Sequence, residues 1–101
     1  MQTDLEVIRE GRKRLSRPDS WCKGSYHKDG RYCILGACGE GLLSRISVKD
    51  SLALTIYRLF RDRFSETNLS VVKFNDHPAT TYQDILLILD TTIERMTKAG
   101  R

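Results

Sequence analysis

A chain of 101 residues with 17 Lys+Arg against 13 Asp+Glu carries a formal +4. It is long enough for one domain that buries roughly two-thirds of its unfolded surface, and its near-balanced charge argues against disorder and against mimicry of nucleic acid. No apolar stretch approaches the ~20 residues that span a bilayer, MQTDLEVIREGRKRL has charges where a secretion signal needs an apolar region, and three widely spaced Cys frame no secreted scaffold, so a cytoplasmic protein without membrane association is expected.

With no internal repeat or low-complexity segment, residues 1–101 read as one compact domain. Thr3-x-x-Glu6 is a capping box that opens a first helix over about residues 4–16. Leu5, Ile8 and Leu15 give its buried stripe, with Val7 at the margin, and Gly11 beside it allows another element to approach closely. Pro18 stops this helix, because the residue before a proline is pushed out of helical geometry. The segment WCKGSYHKDGRYC follows, with Lys28-Asp29-Gly30 as a turn signal, and reads as a short β-hairpin or an ordered loop. CILGACGEGLLS predicts a helix over about 33–44, weakened by glycines that each cost up to ~1 kcal/mol. Gly36, Ala37 and Gly39 would let neighbours pack close to that backbone.

Ser47-x-x-Asp50 predicts the start of a third helix, over about 48–64, with Leu52, Ile56, Leu59, Phe60 and Phe64 on one side. A polar break at Ser65 to Asn68 follows. Leu69 to Phe74, with the β-branched Val71 and Val72, reads as an extended edge segment. Asn75-Asp76-His77-Pro78 reads as a turn. Thr80-x-x-Gln83 then caps a last helix over about 81–98, and the stripe of Tyr82, Ile85, Leu86, Leu89, Ile93 and Met96 makes it the expected centre, packed against the first and third helices. The fold class is mainly α (α+β), with about four helices and a short hairpin or paired extended segments after the first. The expected core is Leu5, Ile8, Leu15, Trp21, Ile34, Leu35, Leu52, Ile56, Leu59, Phe60, Val72, Ile85, Leu86, Leu89 and Ile93.

Trp21-x-x-Gly24, Gly30-x-x-Cys33-x-x-Gly36-Ala37 and Asn75-Asp76 ahead of a final amphipathic helix stand in that order along the chain. In this the chain resembles a small uncharacterised domain family of bacterial, notably actinobacterial, and phage proteins. Phe74 stands where the family often has a second Trp. The resemblance covers most of the chain from Trp21 onward. It implies no activity, and it favours an accessory or mobile-element protein over a metabolic enzyme.

Four groups of residues carry candidate chemistry. Cys33 begins a predicted helix, where the dipole favours a thiolate, and His77 with Asp76 or Asn75 would supply a base and its orienter. The plainer reading is a buried apolar thiol, which the adjacent Ile34 and Leu35 favour. Cys22, His27, Cys33 and Cys38 are four conceivable zinc ligands, but they lack a Cys-x2–4-Cys knuckle, so no metal and no cofactor is expected. Residues 9–31 hold eight bases and three acids. Arg9, Lys13 and Arg17 fall at i, i+4 and i+8 on one helix face. With Lys23, Arg31, Tyr26 and Trp21 they would bind phosphates and stack a base; alternatively they form a solvated face paired with Glu6 and Glu10. Trp21, Asn75 and Asp76 would either line a small anion pocket or anchor a loop, and loop anchoring is the preferred reading. Three functions follow: a non-enzymatic interaction protein for a host or self partner, a binder of nucleic acid, a nucleotide or another polyanion through the basic segment 9–31, and a thiol enzyme built on Cys33. The first is preferred.

Overall fold

The computed structural model describes residues 3–38, 46–61 and 71–100. Helix α1 (Asp4–Arg14) starts at the expected capping box: Thr3 Oγ accepts the Glu6 N–H and Glu6 Oε1 accepts the Thr3 N–H, both at 3.1 Å. It stops earlier than the periodicity predicts, because Pro18 holds Arg17 in extended backbone (φ −125°, ψ 144°) and Pro18–Ser20 form a short 3-10 turn. Its buried side is Val7, Ile8, Gly11 and Leu15, with Leu5 only half-buried. The burial is shifted towards Val7 because α1 is covered from two directions, by the helices designated α2 (Ile34–Ala37) and α5 (Tyr82–Lys98).

The hairpin forms as expected. Strands β1 (His27–Lys28) and β2 (Arg31–Tyr32) pair antiparallel, with His27 opposite Tyr32 and Lys28 opposite Arg31. Asp29 (φ 52°) and Gly30 (φ 78°) both adopt left-handed backbone, the two-residue turn whose twist matches a hairpin. The predicted helix at 33–44 is described only as the single turn α2, capped by Cys33; residues 39–44, Gly39 among them, lie outside the described residues. The close approach expected at small residues is real. A Cβ on Gly36 would lie 1.8 Å from the Tyr26 carbonyl oxygen, and one on Gly11 would lie 2.4 Å from Cys38 Sγ.

Helix α3 (Ile46–Leu59) buries Val48, Ser51, Leu52, Thr55 and Ile56. It begins before Ser47, whose hydroxyl donates to Asp4 Oδ2 on α1. Leu59 is the exposed exception to the predicted core: the helix ends there, and Phe60 on the following turn takes the inner contact, 5.1 Å from the Phe74 ring. Phe64, the polar break and Leu69 lie outside the described residues.

The segment read as an extended edge is instead a helix, α4 (Val71–Asp76), which also absorbs Asn75 and Asp76 from the predicted turn. β-branching at Val71 and Val72 disfavours a helix by only tenths of a kcal/mol, whereas helical geometry places Val71, Phe74 and Asn75 together on the buried side. Val72 is left half-buried. Helix α5 is capped one residue later than predicted: Thr81 Oγ accepts the Asp84 N–H at 3.2 Å and Asp84 Oδ2 accepts the Thr81 N–H at 3.0 Å. Thr80 is buried instead. As expected, α5 packs against both α1 and α3. Its deepest residues are Ile85, Ile88, Leu89, Thr92 and Met96, while Leu86 and Ile93 are half-buried. Leu89→Ala should therefore lower stability by about 2–5 kcal/mol in a thermal or denaturant melt.

The domain is thus mainly α with a small hairpin. Among the described residues no helix is long and apolar enough to cross a membrane.

Candidate functional site

Asn75 is fully buried at the end of α4, and all four of its amide hydrogen-bonding positions are filled. Its Oδ1 accepts the Trp21 Nε1–H at 2.8 Å and the Ile34 N–H at 3.0 Å. Its Nδ2 donates to the Cys22 carbonyl and to Asp76 Oδ1, both at 3.0 Å. Asp76 Oδ1 also accepts the Gly24 N–H at 2.9 Å. Lys23 Nζ donates to the His77 carbonyl at 2.6 Å and lies 5.5 Å from the centre of the Trp21 ring. Trp21, Lys23, Asn75 and Asp76 therefore meet, and their polar atoms are turned on one another. They clasp the 21–24 segment and the start of α2 onto α4.

Cys33 sits next to this clasp. Its thiol is buried, and Sγ accepts the Gly36 N–H at 3.3 Å as the cap of α2. The thiolate expected at a helix start is not favoured: burial pushes the Cys33 thiol up, outweighing the Gly36 and Leu35 N–H groups that act the other way. A single helical turn also has little dipole to offer. Burial raises the Cys22 thiol too, and pushes that of Cys38 up to about 12. His77 Nδ1 accepts the Ala79 N–H at 3.0 Å, which commits that nitrogen to its own turn. His27 stacks on Tyr32 at 4.6 Å. Among the described residues no three His, Cys, Asp or Glu side chains gather as metal ligands would.

Two outcomes follow for these thiols. Cys33 should react slowly with iodoacetamide in the folded protein and fast once denatured; fast native labelling with a depressed apparent pKa would contradict the burial. Cys38 favours the folded state while it is protonated. That contribution is complete below its ordinary value of 9.0 and fades as pH rises from there towards about 12. Cys38→Ala should flatten the alkaline fall in stability, measured by urea melts across that range.

The basic segment is largely spent inside the molecule. Arg12 Nε pairs with Asp90 Oδ1 at 2.7 Å, Arg14 donates to the Ala37 carbonyl at 2.6 Å, and Arg9 reaches Thr97 Oγ1 at 3.4 Å. Since α1 ends at Arg14, Arg17 does not share a helix face with Arg9 and Lys13; it closes on Asp19 with two bonds of 3.2 Å. Arg9, Arg14, Arg17 and Lys23 stay at the surface despite these contacts, as do Lys13 on α1 and, on the hairpin, Lys28 opposite Arg31, with Tyr26 49% exposed beside them.

Helix α3 presents a feature not anticipated above. Ile46, Leu54 and Tyr57 are 68%, 43% and 45% exposed. At 100° per residue they share the outer face with Asp50, and the guanidinium of Arg61, just past the end of the helix, covers the Tyr57 ring at 5.0 Å. Beside this face a groove of about 400 Å³ runs between α3 and the end of α5, lined among others by Asp50, Leu54, Arg58, Arg95 and Met96. Beneath it a polar seam joins the two helices. Thr92 Oγ1 lies 2.7 Å from Thr55 Oγ1, and Arg95 donates to Thr55 Oγ1 at 3.0 Å and to the Ser51 carbonyl at 2.8 Å. The signal for the outer face was present in the sequence, as apolar residues out of phase with the buried stripe of α3.

Residues 1–95 match a family model described as a family of unknown function, DUF6197. No curated protein and no solved structure matches the chain.

Proposed function

The chain therefore belongs to the DUF6197 family, and from its own surface we propose that it is a small non-enzymatic interaction module that seats a protein partner on the outer face of α3. The observation that carries this reading is the clustering of Ile46, Leu54 and Tyr57 on one exposed helix face. Exposed apolar side chains gathered on one helix face, with Asp50 among them and Arg61 over Tyr57, are the composition of a surface that a protein partner covers. The burial of Cys33 and the mutual engagement of Asn75 and Asp76 support a binding role over a catalytic one. The resemblance to bacterial and phage proteins supports an accessory role, with a host protein or the chain itself as partner.

The test is capture of cytoplasmic proteins on the immobilised chain, compared with Leu54→Glu and Tyr57→Glu. Both variants should melt close to wild type and lose any stoichiometric partner. Equal capture by the variants would overturn the reading.

A second reading, of a polyanion binder, is favoured by one observation. Lys28 and Arg31 face each other across the hairpin, and the acid that acts on Arg31 is Asp19, itself closed on Arg17; like charges directly opposite repel, and a bound anion would relieve that. Single-stranded oligonucleotide binding by fluorescence anisotropy should then weaken in Lys28→Glu/Arg31→Glu, with a salt slope smaller by about 0.7 per lost contact. No binding by wild type at low salt would retire this reading.

A further inference from the structure

The signs of the charges along α3 say more about the occupant of its outer face. Asp50 and Arg58 lie one turn to either side of Leu54, and all three are exposed. They are about 12 Å apart along the helix, too far to pair with each other, and neither makes an ion pair within the described residues. An acid four residues before an exposed leucine and a base four residues after it form a self-complementary pattern.

We infer that a second copy of this chain docks on α3, with the two α3 helices antiparallel about a twofold axis through Leu54. This rests on the interaction reading above and names its partner. In that arrangement each position n opposes position 108 − n of the other copy. Leu54 then meets Leu54, and Asp50 meets Arg58 twice, once on each side of the axis. Isologous contacts require this reciprocity, in which one patch carries both halves of every pair. Tyr57 falls opposite Ser51, at the groove between α3 and α5, which supplies the space an aromatic ring needs. A second copy supplies both complementary charges from the same patch, as a twofold contact requires. The contact is a single helix pair, at the small end of specific interfaces, so a micromolar, concentration-dependent dimer is the expected form.

The experiment is sedimentation or light scattering of the full chain over about 1–300 µM, the range that brackets such affinities. Wild type should pass from monomer to dimer across it. Asp50→Arg and Arg58→Asp, each alone, oppose like charges twice and should remain monomeric while melting as wild type does. An equimolar mixture of the two variants restores both opposite-sign contacts and should dimerise. The double variant Asp50→Arg/Arg58→Asp should dimerise as well. A wild type that stays monomeric throughout, or single variants that dimerise as wild type does, would overturn the inference, and so would a mixture that stays monomeric. If monomeric wild type still loses a captured partner on Leu54→Glu, the interaction reading stands and only the self-docking falls.

Discussion

Asn75→Ala should be the most damaging single polar substitution in the domain, lowering stability by about 4 kcal/mol or more, since each buried polar group left unsatisfied costs about 1–3 kcal/mol. It would strand the buried Ile34 N–H and the partly buried Trp21 indole N–H and Cys22 carbonyl around a fully buried amide position. At about 4–8 °C per kcal/mol for a domain of this length, the loss would be visible as a fall in Tm of well over 10 °C. Asn75→Asp should be nearly as costly: it keeps the acceptor, loses both donors and sets a second carboxylate beside Asp76. A double-mutant cycle with Trp21→Phe isolates the indole contribution. If the hydrogen bond matters, the pair of changes should cost less than the sum of the two alone. An Asn75→Ala protein that melts within a few degrees of wild type would mean that the clasp does not hold the 21–24 segment to α4.

Gly36→Ala should be nearly as severe, through sterics instead of polarity. The new Cβ would lie 1.8 Å from the Tyr26 carbonyl oxygen and 2.6 Å from its carbon. Those are backbone atoms, so no side-chain rotation relieves the overlap. The same carbonyl accepts the Cys33 N–H at 3.2 Å, so moving it away from Gly36 also breaks the bond that ties the residue capping α2 to the hairpin. Overpacking of this kind costs about 1–3 kcal/mol, and more where the backbone itself must move, so about 3 kcal/mol is expected here. Gly30→Ala is the proper control. It has open space around it but a φ of 78°, and it should cost only the left-handed backbone penalty of about 1–2 kcal/mol. Urea melts of the two variants distinguish a steric cost from a conformational one.

Some of this architecture was legible in the residues alone. The helix starts at Thr3 and near residue 81, the place of the turn at Lys28-Asp29-Gly30 and the helical class follow from interactions within three or four residues of one another. Capping boxes and hydrophobic periodicity are local, and a linear reading detects them. Even there the cap of the last helix is read one residue early, at Thr80-x-x-Gln83, whereas Thr81 and Asp84 form it and Thr80 is buried. The close approaches at Gly11 and Gly36 were readable as an absence of side chain, though not the identity of what fills the space.

Long-range partners decided the rest. Val71–Asp76 is helical because one face of that turn meets the core, a gain that outweighs the weak β preference of two valines. Asn75 looks like a turn residue in sequence, and becomes the centre of a clasp only when Trp21 and Ile34, 54 and 41 positions away, are brought to its amide. Arg12 and Arg14 look like part of a basic face until Asp90 and the Ala37 carbonyl reach them. The chain by itself thus determined where helices begin and which faces are apolar, because those properties arise from near neighbours. Only the tertiary structure decided which polar groups are spent and which remain outward, because a charge or an amide is satisfied by whatever the fold places within about 3 Å of it, however distant in sequence.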